Sequence, residues 1–138
     1  MKRDKILVLN TETLQLEERE VEERIVSYET IRDGVDGLIE RFCYNRLLND
    51  FKIDCWCNEE GKLIELPISL VIAKEKDGDY EWIEAIAGNV VFTGRDCEGN
   101  SLPLTEQQIE VIKIVLREKA VIVRNREKIR TVRILKFC

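Results

Sequence analysis

"LIERFCYNRLLNDFKIDCWC", residues 38–57, is the stretch whose reading decides the fold. Two runs, "LIERFCY" (Leu38–Tyr44) and "FKIDCWC" (Phe51–Cys57), flank the polar "NRLLND". With Phe51 opposite Tyr44, a hairpin pairs Phe42 with Ile53, Glu40 with Cys55 and Leu38 with Cys57. One face then carries Leu38, Phe42, Tyr44, Phe51, Ile53, Cys55 and Cys57. The other carries Ile39, Arg41, Cys43, Lys52, Asp54 and Trp56. This separation of oily from wet is what a half-buried antiparallel pair requires, and a one-residue slip would mix the faces. Cys55 and Cys57 share the inner face and read as small core side chains. Trp56 points outward beside charge, the setting of a binding hot spot. The competing reading is that a second layer covers that face. Trp56, with Ile39, Lys52 and Asp54 around it, is thus a candidate partner surface. Glu40 falls among apolar neighbours. It is read as a rim or ion-paired carboxylate, with a perturbed acid in a cleft as the alternative.

Upstream, "KILVLN" (Lys5–Asn10) is a short buried strand and "TET" a turn. "LQLEEREVEE" reads as a second, exposed strand hairpinned to the first, with helix as its competitor because glutamate and arginine favour helices. Ser27 is an N-cap for a short helix over about 28–35, and "DGVDG" ends it, with Gly34 or Gly37 as the residue of positive φ. Downstream, "NEEGK" turns at Gly61, Pro67 interrupts strand material, and "DGD" (Asp77–Asp79) turns again. Gly88 marks a bulge or a close backbone approach. Thr105 and Gln108 form a capping box opening a long helix over about 105–119, with Ile109, Ile112, Val115 and Leu116 on one face and Val111 and Ile114 widening it. A terminal hairpin turning at "NREK" follows. The expectation is one α+β domain over 1–138, largely antiparallel, with a basic C-terminal hairpin over 120–138.

The 138 residues suit one domain with an unstapled core. No apolar run approaches the roughly 18 residues of a membrane span, and "ILVL" is too short for a signal-peptide core, so a cytoplasmic protein with no membrane partner is expected. Five cysteines at irregular spacing do not form a disulfide framework. Histidine is absent, which removes the commonest general base and the commonest metal ligand. Cys-x-Cys supplies half a zinc site at most, and the redox signature is Cys-x-x-Cys. No glycine-rich loop of nucleotide-binding type is present. No metal, cofactor or catalytic residue is therefore assigned. Charge is uneven: residues 117–138 hold eight basic and two acidic side chains, a local +6 within a chain of net −5. The basic end lies against the acidic beginning, within one chain or between two, or it meets a partner through Arg124, Arg126, Arg130 and Arg133. Nucleic acid is a weak candidate for that partner, since only Phe137 is a nearby aromatic and the chain is acidic overall.

"GVDGLIE" (Gly34–Glu40), "CNEEGKLIELPIS" (Cys57–Ser69), "IAGNVVFTG" (Ile86–Gly94) and "LTEQQI" resemble domain of unknown function 3846, over residues about 28–112. Asp36, Leu38 and Ser69 depart from that pattern. The resemblance implies a phage or conjugative-element setting, and no site residues come with it. In that setting the expected function is a non-enzymatic binding protein that inhibits a host defence component by protein–protein contact, through a surface holding Trp56 and Ile39 or through the basic tail. The alternative is a small-ligand or nucleotide-signal sponge.

Overall fold

The computed structural model describes residues 4–117, 121–125 and 128–138. Its elements run β1 (Lys5–Leu9), β2 (Leu16–Glu20), α1 (Tyr28–Val35), β3 (Ile39–Phe42), α2 (Arg46–Asp50), β4 (Ile53–Asn58), β5 (Ile68–Lys76), β6 (Asp79–Ala87), β7 (Val90–Arg95), β8 (Ser101–Leu102), α3 (Glu106–Val115), β9 (Val121–Asn125) and β10 (Lys128–Lys136). They form an α+β fold of two sheets. The first has strand order β2-β1-β7-β4-β3, with β8 on β7, all antiparallel. The second has order β6-β5-β10-β9. There β10 runs parallel to β5, so the terminal hairpin is built into the sheet through β10.

Alternation explains the layers. In β1, Leu7 and Leu9 face the core between the sheets, where Phe42, Ile53, Cys55, Cys57, Phe92, Leu70, Ile72 and Leu135 meet Ile109 and Ile112 of α3. Ile6 and Val8 face the other way, with Val91, onto Ile31 and Val35 of α1. A strand buried on both faces must read as an unbroken apolar run, and "ILVL" does. The outer face of the second sheet holds Val71, Ala73, Val132 and Ile134 with Val123. At the outer edge of the first sheet, β2 is charged (Glu17, Glu18, Arg19, Glu20), which discourages edge-to-edge pairing.

The central hairpin differs from expectation in register but not in faces. Phe42 pairs with Cys55, Arg41 with Trp56 and Glu40 with Cys57, a shift of two residues. The cause is α2: "NRLLND" is not a plain turn but a helical turn capped by Asn45, whose side chain accepts from the Leu48 N–H. An even shift leaves every side chain on its own face. Both cysteines are buried as expected.

Two glycine readings are corrected. The left-handed residue closing α1 is Asp36, at φ 64°, with its N–H donating to the Arg32 carbonyl. Gly34 lies inside the helix, where a Cβ would sit 2.7 Å from Val91 Cγ2; it serves close approach, not a turn. At Gly61 the need is likewise space, because a Cβ would strike the Ala87 carbonyl. Gly88, at φ 92°, is where the chain leaves the second sheet for the first. The capping box of α3 is present, and α3 ends at Val115 with Leu116 closing it; the expected last turn at 118–119 lies outside the described residues. Ile114 is exposed, so the buried stripe of α3 is narrower than expected.

Candidate binding groove

The candidate partner residues of β4 are engaged within the protein. Trp56 is half-buried rather than exposed: α1 covers that face, and the indole packs with Ile39 on the α1 cluster. Its Nε1 donates to Thr93 Oγ1 at 3.0 Å. Asp54 is buried and accepts from Arg95 Nη1 at 2.8 Å, with Arg41 at 3.8 Å. Arg95 also donates to the Asn49 carbonyl and side chain, which ties β7 to α2. Lys52 is exposed on the α2–β4 turn at φ 59°. Glu40 is exposed on the edge strand β3, the rim position.

The basic hairpin divides the same way. Arg130 donates to the carbonyls of Ile68 and Thr11. Arg133 donates to the Leu116 carbonyl at 2.7 Å, capping the end of α3, and burial pushes its pKa down. These two arginines hold backbone rather than the acidic N-terminal strand. Arg124 is exposed, and Arg126 lies outside the described residues.

A polar cluster stands at the open end of the core. Tyr44 donates to Glu84 Oε2, and Lys62 lies 3.4 Å from Glu84 Oε1. The hydrogen bond to Glu84, with burial and the charges of Glu84 and Glu40, pushes Tyr44 up to about 12. Burial, helped by Glu40 and Glu84, pushes Cys57 up to about 11, and burial also raises Cys55. A raised thiol is a poor nucleophile and a poor ligand. Among the described residues no group of three or more His, Cys, Asp or Glu side chains is placed to hold a metal.

The feature that sequence reading missed is an open groove of about 430 Å³. Ile114, Val115 and Arg117 at the end of α3 form one wall. Lys74 and Glu75 of β5 and Lys136 of β10 form the other, with Phe137 beyond them and Asn45 and Leu47 of α2 closing an end. Leu47, Ile114 and Phe137 are all partly open to solvent, at 42%, 55% and 42% exposure. The walls are held by backbone. Phe137 N–H donates to the Ala73 carbonyl at 2.8 Å, Cys138 N–H to the Tyr44 carbonyl at 3.1 Å, and Asn45 Nδ2 to the Lys136 carbonyl at 2.9 Å. Tyr44 backs the Phe137 ring at 6.3 Å between centroids, and Phe42 backs Tyr44 at 6.0 Å. Lys136 lies 3.7 Å from Glu75. The signal in the sequence was Phe137 beside Lys136, with an apolar Ile114 on the polar side of a helix; only the crossover of β10 onto β5 brings them together.

Fold and groove together define an α+β protein of two packed sheets with an apolar, cation-rimmed cleft. The chain belongs to the family described as Domain of unknown function (DUF3846), whose model matches residues 1–133. That match extends past 28–112 at both ends and takes in most of β10. No curated protein and no solved structure matches the chain. No described helix is long and apolar enough to cross a membrane.

Proposed function

We propose that this is a non-enzymatic binding protein that acts by contact with another protein, using the groove beside Phe137 as its contact surface. One observation carries the reading: an apolar cleft whose walls are joined by hydrogen bonds to backbone and whose rim holds Lys74, Arg117 and the Lys136–Glu75 pair, on a chain of net charge −5. Aromatic anchors backed by other rings and held by backbone bonds have the character of hot spots, because little entropy is lost when they are covered. The anchor in this reading is Phe137, since the Trp56 indole is engaged with Thr93. The mobile-element setting implied by the family resemblance makes a host defence component the partner class.

The test is capture from host lysate by the wild-type protein and by Ile114→Asp, at low and high salt. Ile114 is exposed, so its substitution spares the core. Proteins retained by the wild type should be lost with Ile114→Asp and weakened by salt, while Ile25→Asp, an equally exposed position ahead of α1, retains them. Equal capture by all three proteins would refute the groove as the contact surface. A second reading, a small-ligand sponge, is favoured by the volume, which lies in the roughly 300–1,000 Å³ range of ligand clefts. Mass spectrometry of small molecules released by heating separates the two.

A further inference from the structure

Resting on that reading, we infer that the groove takes an acidic peptide segment of the partner, with an apolar anchor flanked on both sides by carboxylates. The cations stand on opposite walls, Arg117 on the α3 side and Lys74 and Lys136 on the sheet side, and among the described lining residues Glu75, paired with Lys136, is the one acidic side chain. Between them lie Ile114, Val115 and Phe137. A ligand matching this pattern is apolar in the middle and negative at its edges. A compact anion such as phosphate fits less well. It needs donors converging on one point, whereas the cations here stand on opposite walls. The N-terminal side of α2 offers no substitute, because Asn45 already accepts from Leu48 N–H and donates to the Lys136 carbonyl. A basic peptide would set like charge against Lys74 and Arg117, and a neutral one would desolvate them with no compensating carboxylate, which disfavours binding.

The test is fluorescence anisotropy with three labelled peptides of equal length. One places leucine and phenylalanine between glutamates, one replaces the glutamates by lysines, and one replaces the apolar pair by serines. The first should bind at least about tenfold tighter than either other peptide, and should weaken as salt screens the cations. Lys74→Glu combined with Arg117→Glu should reverse the preference between the glutamate and lysine peptides. Ile114→Asp should weaken the glutamate peptide without changing the melting temperature. Equal binding of the glutamate and lysine peptides, or indifference to the charge reversals, overturns the inference. So does displacement of the glutamate peptide by inorganic phosphate, or binding of dodecanoate with none of the peptides. If Ile114→Asp abolishes capture from lysate while no acidic peptide binds, this inference alone fails. If the glutamate peptide binds wild type and Ile114→Asp alike, the groove itself is wrong for both.

Discussion

Gly34→Ala is the sharpest test of how the α1 layer meets the sheet. The added Cβ would lie 2.7 Å from Val91 Cγ2 and 3.6 Å from Val8 Cγ2. Carbon pairs rest at about 3.5–4.0 Å, so the first contact is short by about 1 Å. Neither valine can yield: both are fully buried, β-branched and in neighbouring strands of the sheet. Overpacking of this kind costs about 1–3 kcal/mol. Against it stands the better helix propensity of alanine, at most about 1 kcal/mol and less near the end of an eight-residue helix. The variant should therefore lose about 1–2 kcal/mol in urea unfolding at unchanged m. The decisive measurement is the cycle with Val91→Ala. There the new methyl enters the space that valine left, so Gly34→Ala becomes neutral or stabilising, with a coupling of about 2 kcal/mol. A stabilised single variant, or additive effects in the cycle, would refute the packing argument.

Arg95→Met removes the main partner of the buried Asp54 carboxylate and leaves Arg41 at 3.8 Å as its remaining cation; it should cost about 2–3 kcal/mol by urea titration, and the further change Asp54→Asn should recover part of it. Thr105→Ala should cost about 1 kcal/mol through the lost cap, and Gln108→Ala more, because the Gln108 amide also donates to the Phe51 and Lys52 carbonyls. Tyr44 and Cys57 both have folded pKa values above their unfolded ones, so the unfolded state sheds these protons first and stability falls as pH rises. The Cys57 contribution is present below pH 9 and is lost through about 11; that of Tyr44 is present below pH 10 and is lost through about 12. Tyr44→Phe should flatten the stability profile in the upper window and Cys57→Ala in the lower, read from urea midpoints across the pH range.

Local physics made much of the fold legible. Ser27, with its side chain on the Thr30 N–H, starts α1 at the residue expected, and the Thr105–Gln108 box starts α3. "DG" at 77–78 makes the two-residue turn of the β5–β6 hairpin with both residues at positive φ. What was illegible is long-range. Nothing local in "VRILK" says that it will run parallel to "LVIA", and that pairing is what joins the terminal hairpin to β5 and β6 in the second sheet. Trp56 illustrates the same limit. Alternation places its side chain on the correct face, but whether that face meets water is decided by α1, which arrives from elsewhere in the chain. The groove was invisible for the same reason, since its walls come from four separated segments.

Apart from "LTEQQI", which opens α3, residues from the stretches that carry the family resemblance converge on one place, and that place is not the groove. Gly37 packs on the Asn58 side chain, Gly61 on the Ala87 carbonyl, and Gly88 against Leu66 and Asn58. Asn89 joins them, accepting from the Thr11 N–H at 2.8 Å and donating to the Gly34 carbonyl at 3.1 Å. Asn58 accepts from the Glu60 N–H at 2.8 Å, and Ser69 donates to the Gly88 carbonyl at 2.6 Å. Here α1 ends, β4 turns and the chain crosses between sheets. Close backbone approach demands glycine, and backbone groups stranded at a crossing demand amides and hydroxyls. Packing accounts for each of these residues without any chemistry. The motif therefore describes how the two sheets are joined. The proposed contact groove lies outside it: none of the described residues that line the groove lies in "GVDG", "NEEGK" or "GNVV".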